Sequence, residues 1–499
     1  MDREHARTSE ETPLLGNWSG DAQFASHNVD PEPEFDPKGD KEDPREWPSG
    51  FKWAIVLLLA SMGFTVTFTC ISVVPIATEI AADLDDGRSS STGSALLVTI
   101  WELGEAAGPL FIAPLSEVYG RYPVMNAANL LFISATLFAS LCTSMPLFVA
   151  ARALTGLSVA VNVLNPAIIG DMFVSDQRGS AMSAVFLAPL IGGAIGPAFG
   201  GAVAETVGWR TVLHIATGLA AICEVLFLTC FRETYKIVIL KRRAARLRQG
   251  SATGGSAESP GDKVRQETDL GKIWHSISRP IAMLFGSGIL FSLAIFGSVS
   301  FSYFYVMSVS MPDMLRDIYG FSPAQTGAAF IAMSIGSVVA VGTCNVTLDR
   351  IYVRLRGSQN ESDGRPEYRL PLAIIAGVLL PTAISLYGWI AEWRLPVWLL
   401  LLGSGLIDGS TLLVMVPLSA YVVDACGVYS ASAMTGIIVS RCLMGTFLPL
   451  ATGPLVEGFG YGWGMTFFGV LSLSLAPVPI LVMRYGERWR RGSEIMQGA

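Results

Sequence analysis

Twelve apolar runs, each long enough to cross a bilayer as a helix, dominate what this chain can become. They fall at roughly 52–78, 93–113, 123–142, 146–170, 180–203 and 209–231, then at 280–310, 323–346, 370–391, 396–423, 429–456 and 462–484. A hydrocarbon core takes about 20 helical residues per crossing. Inside it, only backbone that satisfies its own hydrogen bonds survives, which favours helices over open strands. Composition agrees: 51% of the residues are hydrophobic and only 15% charged, against roughly 25% charged in soluble domains. The expected fold class is an all-α membrane protein with twelve transmembrane helices in two pseudo-symmetric six-helix bundles. The polar breaks set the expected domains: an acidic, disordered tail over 1–50, a first bundle over 51–231, a central loop over 232–278, a second bundle over 279–485 and a tail over 486–499.

The two bundles repeat. Gly193, Pro197, Gly201, Glu205 and Gly208 of the fifth run recur as Gly445, Pro449, Gly453, Glu457 and Gly460 of the eleventh, every pair 252 residues apart. One such match means little, but five at one offset argue for a duplicated six-helix unit. Parallel repeats of this kind place a transport pathway at their interface.

Charge fixes the expected orientation. Of the 34 Lys and Arg, 28 fall in segments on the side of the amino terminus, four (Arg88, Arg210, Arg316 and Arg394) on the other, and Arg152 and Arg441 lie within runs. The positive-inside rule then puts both termini in the cytoplasm. The net charge of -7 comes from the first 50 residues, which hold 13 acids and 5 bases. It implies no nucleic-acid partner. That tail has no apolar signal region. The plasma membrane is the expected address; EETPLL, Glu10 to Leu15, resembles an acidic dileucine sorting signal, which makes a vacuolar or endosomal membrane the alternative. The run KRRAARLR at Lys241 is expected to extend the sixth helix along anionic headgroups.

Within the runs, ionisable groups stand out because charge at bilayer depth is costly. Glu102 and Glu105 are three residues apart on one helix face. Desolvating two like charges together disfavours the doubly ionised state, which makes one of them the expected proton carrier; a structural acid paired to a neighbour is the plainer reading. Arg152 is the expected partner of that carboxylate, and Asp408 and Arg441 are candidates for the same role in the second half. Trp101, Phe301, Tyr303, Phe304 and Tyr305 are candidate substrate contacts, since aromatic faces stack on planar or cationic molecules; an aromatic run facing lipid is equally open. Gly192, Gly196 and Gly200 share a helix face and allow close backbone approach, while Pro197 removes a backbone donor. Glu117 and Arg121, four apart at the polar turn SEVYGR, are expected to pair as a latch. Asp349 and Arg350 look like its reduced counterpart. Nothing in the sequence carries catalysis: there is no nucleotide-binding glycine loop, no metal-ligand spacing and no nucleophile–base pair. No cofactor is expected, and coupling would come from an ion gradient.

Four sets of residues together resemble a known family. APLSEVYGRYP, Ala113 to Pro123, is similar to the loop 2–3 signature of the major facilitator superfamily, with Ala113 and Val118 departing from its first Gly and first basic position. RALTG, Arg152 to Gly156, is similar to its fourth-span motif. GGAIGPAFGG, Gly192 to Gly201, matches the fifth-span motif of antiporters. DPREWP, RETY, YGFSPAQTG, PEYRLP and YGWG fall in order between the right runs. From about Asp43 to Arg491 the chain resembles the twelve-span fungal drug:proton antiporter group. The resemblance implies a monomeric, proton-coupled transporter exporting a small organic molecule. An uptake permease or polyamine carrier of the same fold, or a non-transporting sensor, are the alternatives.

Overall fold

The computed structural model describes residue 40 and residues 42–85, 91–251, 278–358, 365–427 and 430–491. The tail with its dileucine, most of residues 252–278 and the end beyond 491 lie outside the described residues. Among those described, every regular element is a helix.

The first half comprises α1 (Ser49–Ile71), α2 (Ala77–Leu84), α3 (Ser91–Tyr119), α4 (Arg121–Leu141), α5 (Met145–Leu157), α6 (Val161–Met172), α7 (Ser175–Val207) and α8 (Trp209–Cys230). The basic α9 (Lys236–Ser251) follows, and a helical stretch over 278–286, here α10, leads into the second half. That half contains α11 (Gly288–Tyr319), α12 (Pro323–Ser358), α13 (Pro371–Glu392), α14 (Val397–Cys426), α15 (Ser430–Phe447), α16 (Thr452–Leu475) and α17 (Pro477–Arg491).

These helices form 11 continuous apolar stretches, the last running 59 residues from Ser432 to Arg490. One crossing takes about 20 residues, so that stretch is two crossings, and the chain breaks inside it at Gly460 (φ 78°, ψ 172°). Twelve crossings result. Gly208, at the matching position 252 residues earlier, breaks α7 from α8 with φ 95° and ψ 157°. Only glycine adopts this backbone readily, so the duplication in sequence is a duplication of corners. The first and fourth crossings are each two helices rather than one. α1 stops at Ile71 before a short turn through Pro75, and α5 and α6 are separated at Ser158–Ala160.

The small residues of the fifth crossing decide how the halves meet. A Cβ on Gly192 would lie 2.8 Å from the Phe64 carbonyl, one on Gly196 3.2 Å from that of Phe68, and one on Gly200 2.1 Å from that of Ser72. The shared glycine face therefore lies against α1. Gly201 points the other way, where a Cβ would lie 2.1 Å from the Pro323 carbonyl of α12. α7 thus bridges its own half and the other. Large apolar side chains such as Leu57, Ile222 and Val225 remain exposed on the outside of the bundle, as lipid-facing helices require.

Candidate functional site

The helices enclose a cavity of about 380 Å³ between the halves. Two of its neighbouring helices, α3 and α5, pack backbone to backbone. A Cβ on Gly104 would lie 2.1 Å from the Ala153 carbonyl, and one on Gly156 2.1 Å from that of Trp101. Gly156 of RALTG is therefore a packing residue. With Gly104 held against α5, the opposite side of α3 turns Glu102 and Glu105 towards the second half.

Glu105 is well supplied with donors. Its Oε1 accepts from Asn162 Nδ2 at 2.7 Å and from Arg441 Nη2 at 3.4 Å, and its Oε2 from Trp101 Nε1 at 3.3 Å. Glu102 is not. Its Oε1 accepts from the Tyr305 hydroxyl at 2.6 Å, while Oε2 is buried with no hydrogen-bond partner among the described residues. The Arg441 guanidinium lies 4.2 Å from the centre of the Phe301 ring. On the far wall, Asp408 of α14 accepts from the Ser337 hydroxyl of α12.

Several expected partnerships differ from this arrangement. Among the described residues Arg152 pairs with no carboxylate; it donates to the carbonyls of Thr69 (3.4 Å) and Cys70 (2.9 Å) and stacks 5.0 Å over Trp101. The reason is the break in α1: its last carbonyls lose their helical donors, and a buried guanidinium supplies them. Arg441 is not the partner of Asp408 in the second half; it reaches across to Glu105. Of the aromatic candidates, Trp101, Phe301, Phe304 and Tyr305 line the cavity. Tyr303 points away from it, buried, with its hydroxyl donating to the Phe468 carbonyl at 2.7 Å. Residues 303 and 305 of a helix lie 200° apart, so both could not face one space.

The polar turn after α3 is also built differently. Gly120, with φ 104°, ends the helix there. Glu117 and Arg121 consequently belong to different helices and do not form the expected pair. Arg121 Nε instead meets Asp171 Oδ2 of α6 at 3.3 Å, Nη1 donates to the Ser116 hydroxyl at 2.5 Å, and the guanidinium stacks 4.7 Å over Tyr235. Glu233 of RETY caps α4, accepting from the backbone N–H of Arg121 (2.8 Å) and Tyr122 (3.3 Å). Burial, aided by the nearby Glu117 carboxylate, raises the Tyr235 phenol above its ordinary value, so the ring stays neutral under Arg121. In the second half Asp349 pairs with Arg369 (2.5 Å), which also holds Asp424 (2.9 Å). Arg350 is exposed beside it. Burial opposes charge on Arg369, but its two carboxylate partners hold its pKa above the ordinary value.

Sequence reading missed Asn162 and the partners of Asp171 and Glu233. An amide and two acids at the ends of apolar runs were the visible signal, but only tertiary contact shows that they face Glu105, Arg121 and the start of α4.

Residues 53–449 match the family model of the Major Facilitator Superfamily. The chain belongs to that superfamily. Within it, the chain is 31% identical over 463 residues to efflux pump radE of Floropilus chiversii, covering 92% of this chain and 84% of that one. It is 31% identical over 453 residues to MFS transporter prlG of Fungal sp. (strain NRRL 50135), covering 90% and 94%. MFS-type transporter penM of Penicillium rubens is 30% identical over 467 residues, covering 92% and 89%. Among solved structures, a D-xylose-proton symporter superposes with TM-score 0.64 at 14% identity, covering 87% of this chain and 97% of that one. The human organic anion transporter MFSD10 superposes with TM-score 0.58 at 18% identity, covering 87% and 100%. At such identities these structures show the shared fold. The protein is thus a membrane transporter of the superfamily and not an enzyme.

Proposed function

We propose that this major facilitator exports a small, largely apolar organic molecule in exchange for protons, by alternating access, with Glu102 as the proton carrier. The unpartnered Oε2 of Glu102 at the cavity wall carries the reading. A proton binds there without displacing a hydrogen bond, whereas on Glu105 it would compete with Arg441, Asn162 and Trp101. Tyr305 links Glu102 to the aromatic wall of Phe301 and Phe304, so a substrate seated against those rings senses the state of the carboxyl. In the cycle, substrate enters while Glu102 is ionised, the halves rock, a proton binds as substrate leaves, and the protonated form returns. The relatives named as an efflux pump and transporters of fungal origin support export. The proton gradient drives the cycle without a bound cofactor. One chain builds the whole cavity, which favours a monomer; the excess of Lys and Arg on the side of the termini favours placing both in the cytoplasm, with the plasma membrane as the proposed address.

The test uses full-length protein in proteoliposomes with an imposed pH gradient and a panel of planar organic molecules. At least one molecule is expected to dissipate the gradient as it accumulates, and Glu102→Gln vesicles are expected to show no such coupling. Transport at the same rate with and without the gradient, or wild-type coupling in Glu102→Gln, overturns the proposal.

A further inference from the structure

We propose that Glu205 and Glu457 are matched gate carboxylates that hold the Gly208 end of the transporter shut, each capping the amino terminus of a helix in the opposite half. The inference rests on alternating access and not on which ion drives it.

The first half of the gate is visible directly. Glu205 lies in the last turn of α7, and its Oε2 accepts from the backbone N–H of Ala324 at 3.0 Å. α12 begins at Pro323, so that N–H is one of the unpaired donors of a helix start. An acid in the last turn of its own helix stands at the unfavourable end of the macrodipole, and the start of another helix offers the favourable end. Here that end comes from the other half. Two close approaches fix the geometry: a Cβ on Gly201 would lie 2.1 Å from the Pro323 carbonyl, and one on Gly327 2.1 Å from the Pro197 carbonyl. When the halves part at this end, Glu205 loses its cap and keeps only the adverse field of its own helix. The closed arrangement is favoured by the difference.

The second half follows from the repeat. Glu457 stands three residues before the Gly460 corner, as Glu205 stands three before the Gly208 corner, and Gly453 corresponds to Gly201. Glu457 and Gly453 line a pocket of about 500 Å³ together with Ser94, in the first turn of α3. α3 and α12 are the second crossings of their respective halves. The pseudo-two-fold that sets Glu205 on the start of α12 therefore sets Glu457 on the start of α3. Arg316 braces the same end, donating across the halves to the Thr78 hydroxyl at 2.7 Å while held by Asp313 and Asp317.

The test measures distance across this end in the full chain, in nanodiscs, without substrate or pH gradient, so its result is independent of proton coupling. Spin labels go on Leu141→Cys and Trp398→Cys, both exposed and one in each half, with the exposed Cys230 replaced by Ser. Glu205→Ala and Glu457→Ala are each expected to raise the ratio of long to short distances roughly tenfold, the effect of one charge-assisted hydrogen bond, and the double variant more than either. Glu205→Gln and Glu457→Gln keep an acceptor oxygen and are expected to shift the ratio less than alanine; they also read the ratio if an alanine chain does not fold. An unchanged ratio in either position's variants overturns the matched gate, as does a lowered melting temperature with no change in the ratio.

Discussion

Glu105 of α3 and Arg441 of α15 meet at 3.4 Å across the boundary between the two halves, within the wall of the central cavity. The pair joins positions 336 residues apart, and it ties the buried carboxylates of α3 to the helix that repeats α7. Glu105 is nearly buried and Arg441 a quarter exposed, so the pair is less costly to break than one in a dry core.

Arg441→Met leaves Glu105 facing only neutral donors. It is expected to destabilise the protein by about 2 kcal/mol, less than a fully buried pair would cost. Glu105→Gln combined with Arg441→Met removes both charges and is expected to recover most of that loss. Thermal unfolding of the purified single and double variants checks this; additive losses would contradict the pairing.

The fifth-span glycines separate by what a methyl group would meet. Gly200→Ala forces a Cβ to within 2.1 Å of the Ser72 carbonyl, and is expected to cost about 3 kcal/mol, at the upper end for overpacking. Gly193→Ala points at the cavity, where the nearest atom is 3.8 Å away, and is expected to change stability by less than about 0.5 kcal/mol. Melting temperatures of the two variants in one detergent make the comparison.

At the Gly120 corner the acid that matters is Asp171, not Glu117. Asp171→Asn weakens the ion pair with Arg121 and is expected to cost about 1–2 kcal/mol. Glu117→Gln, on an exposed position, is expected to stay within about 0.5 kcal/mol of wild type. Unfolding midpoints that rank these two variants in the opposite order would restore the pairing of Glu117 with Arg121.

All seven cysteines are free, and Cys230 alone is exposed. A polar maleimide is expected to label one thiol per folded chain, and Cys230→Ser is expected to abolish the labelling. Mass spectrometry of the intact protein counts the adducts.

These contrasts mark what a sequence can carry. The twelve crossings were legible because bilayer thickness dictates run length, and the duplication because five residues at one offset needed no structure to be seen. Gly192, Gly196 and Gly200 were legible as one face, since helical spacing fixes that. Which partner that face met was not, because α1 and α12 offer similar backbones. Pairing at depth was the least legible. Arg152 and Arg441 look alike in an apolar run, yet one serves the broken end of α1 and the other a carboxylate. Glu117 and Arg121 failed for a local reason: four-residue spacing implies neighbours only where the helix continues, and Gly120 stops it.

The wiring of Glu105 also bears on how the chain is made. Asn162 and Trp101, which belong to the same half as Glu105, are in the membrane with it long before Arg441 has been synthesised. They can hold the carboxylate while the ribosome completes the remainder, so the first half enters the bilayer with Glu105 already supplied with donors from within. Arg441, with the Phe301 ring beside it in its own half, arrives later to find that carboxylate in place. The order of synthesis therefore matches the order in which the charges are accommodated, and two half-length chains made separately would depend on the second finding the first.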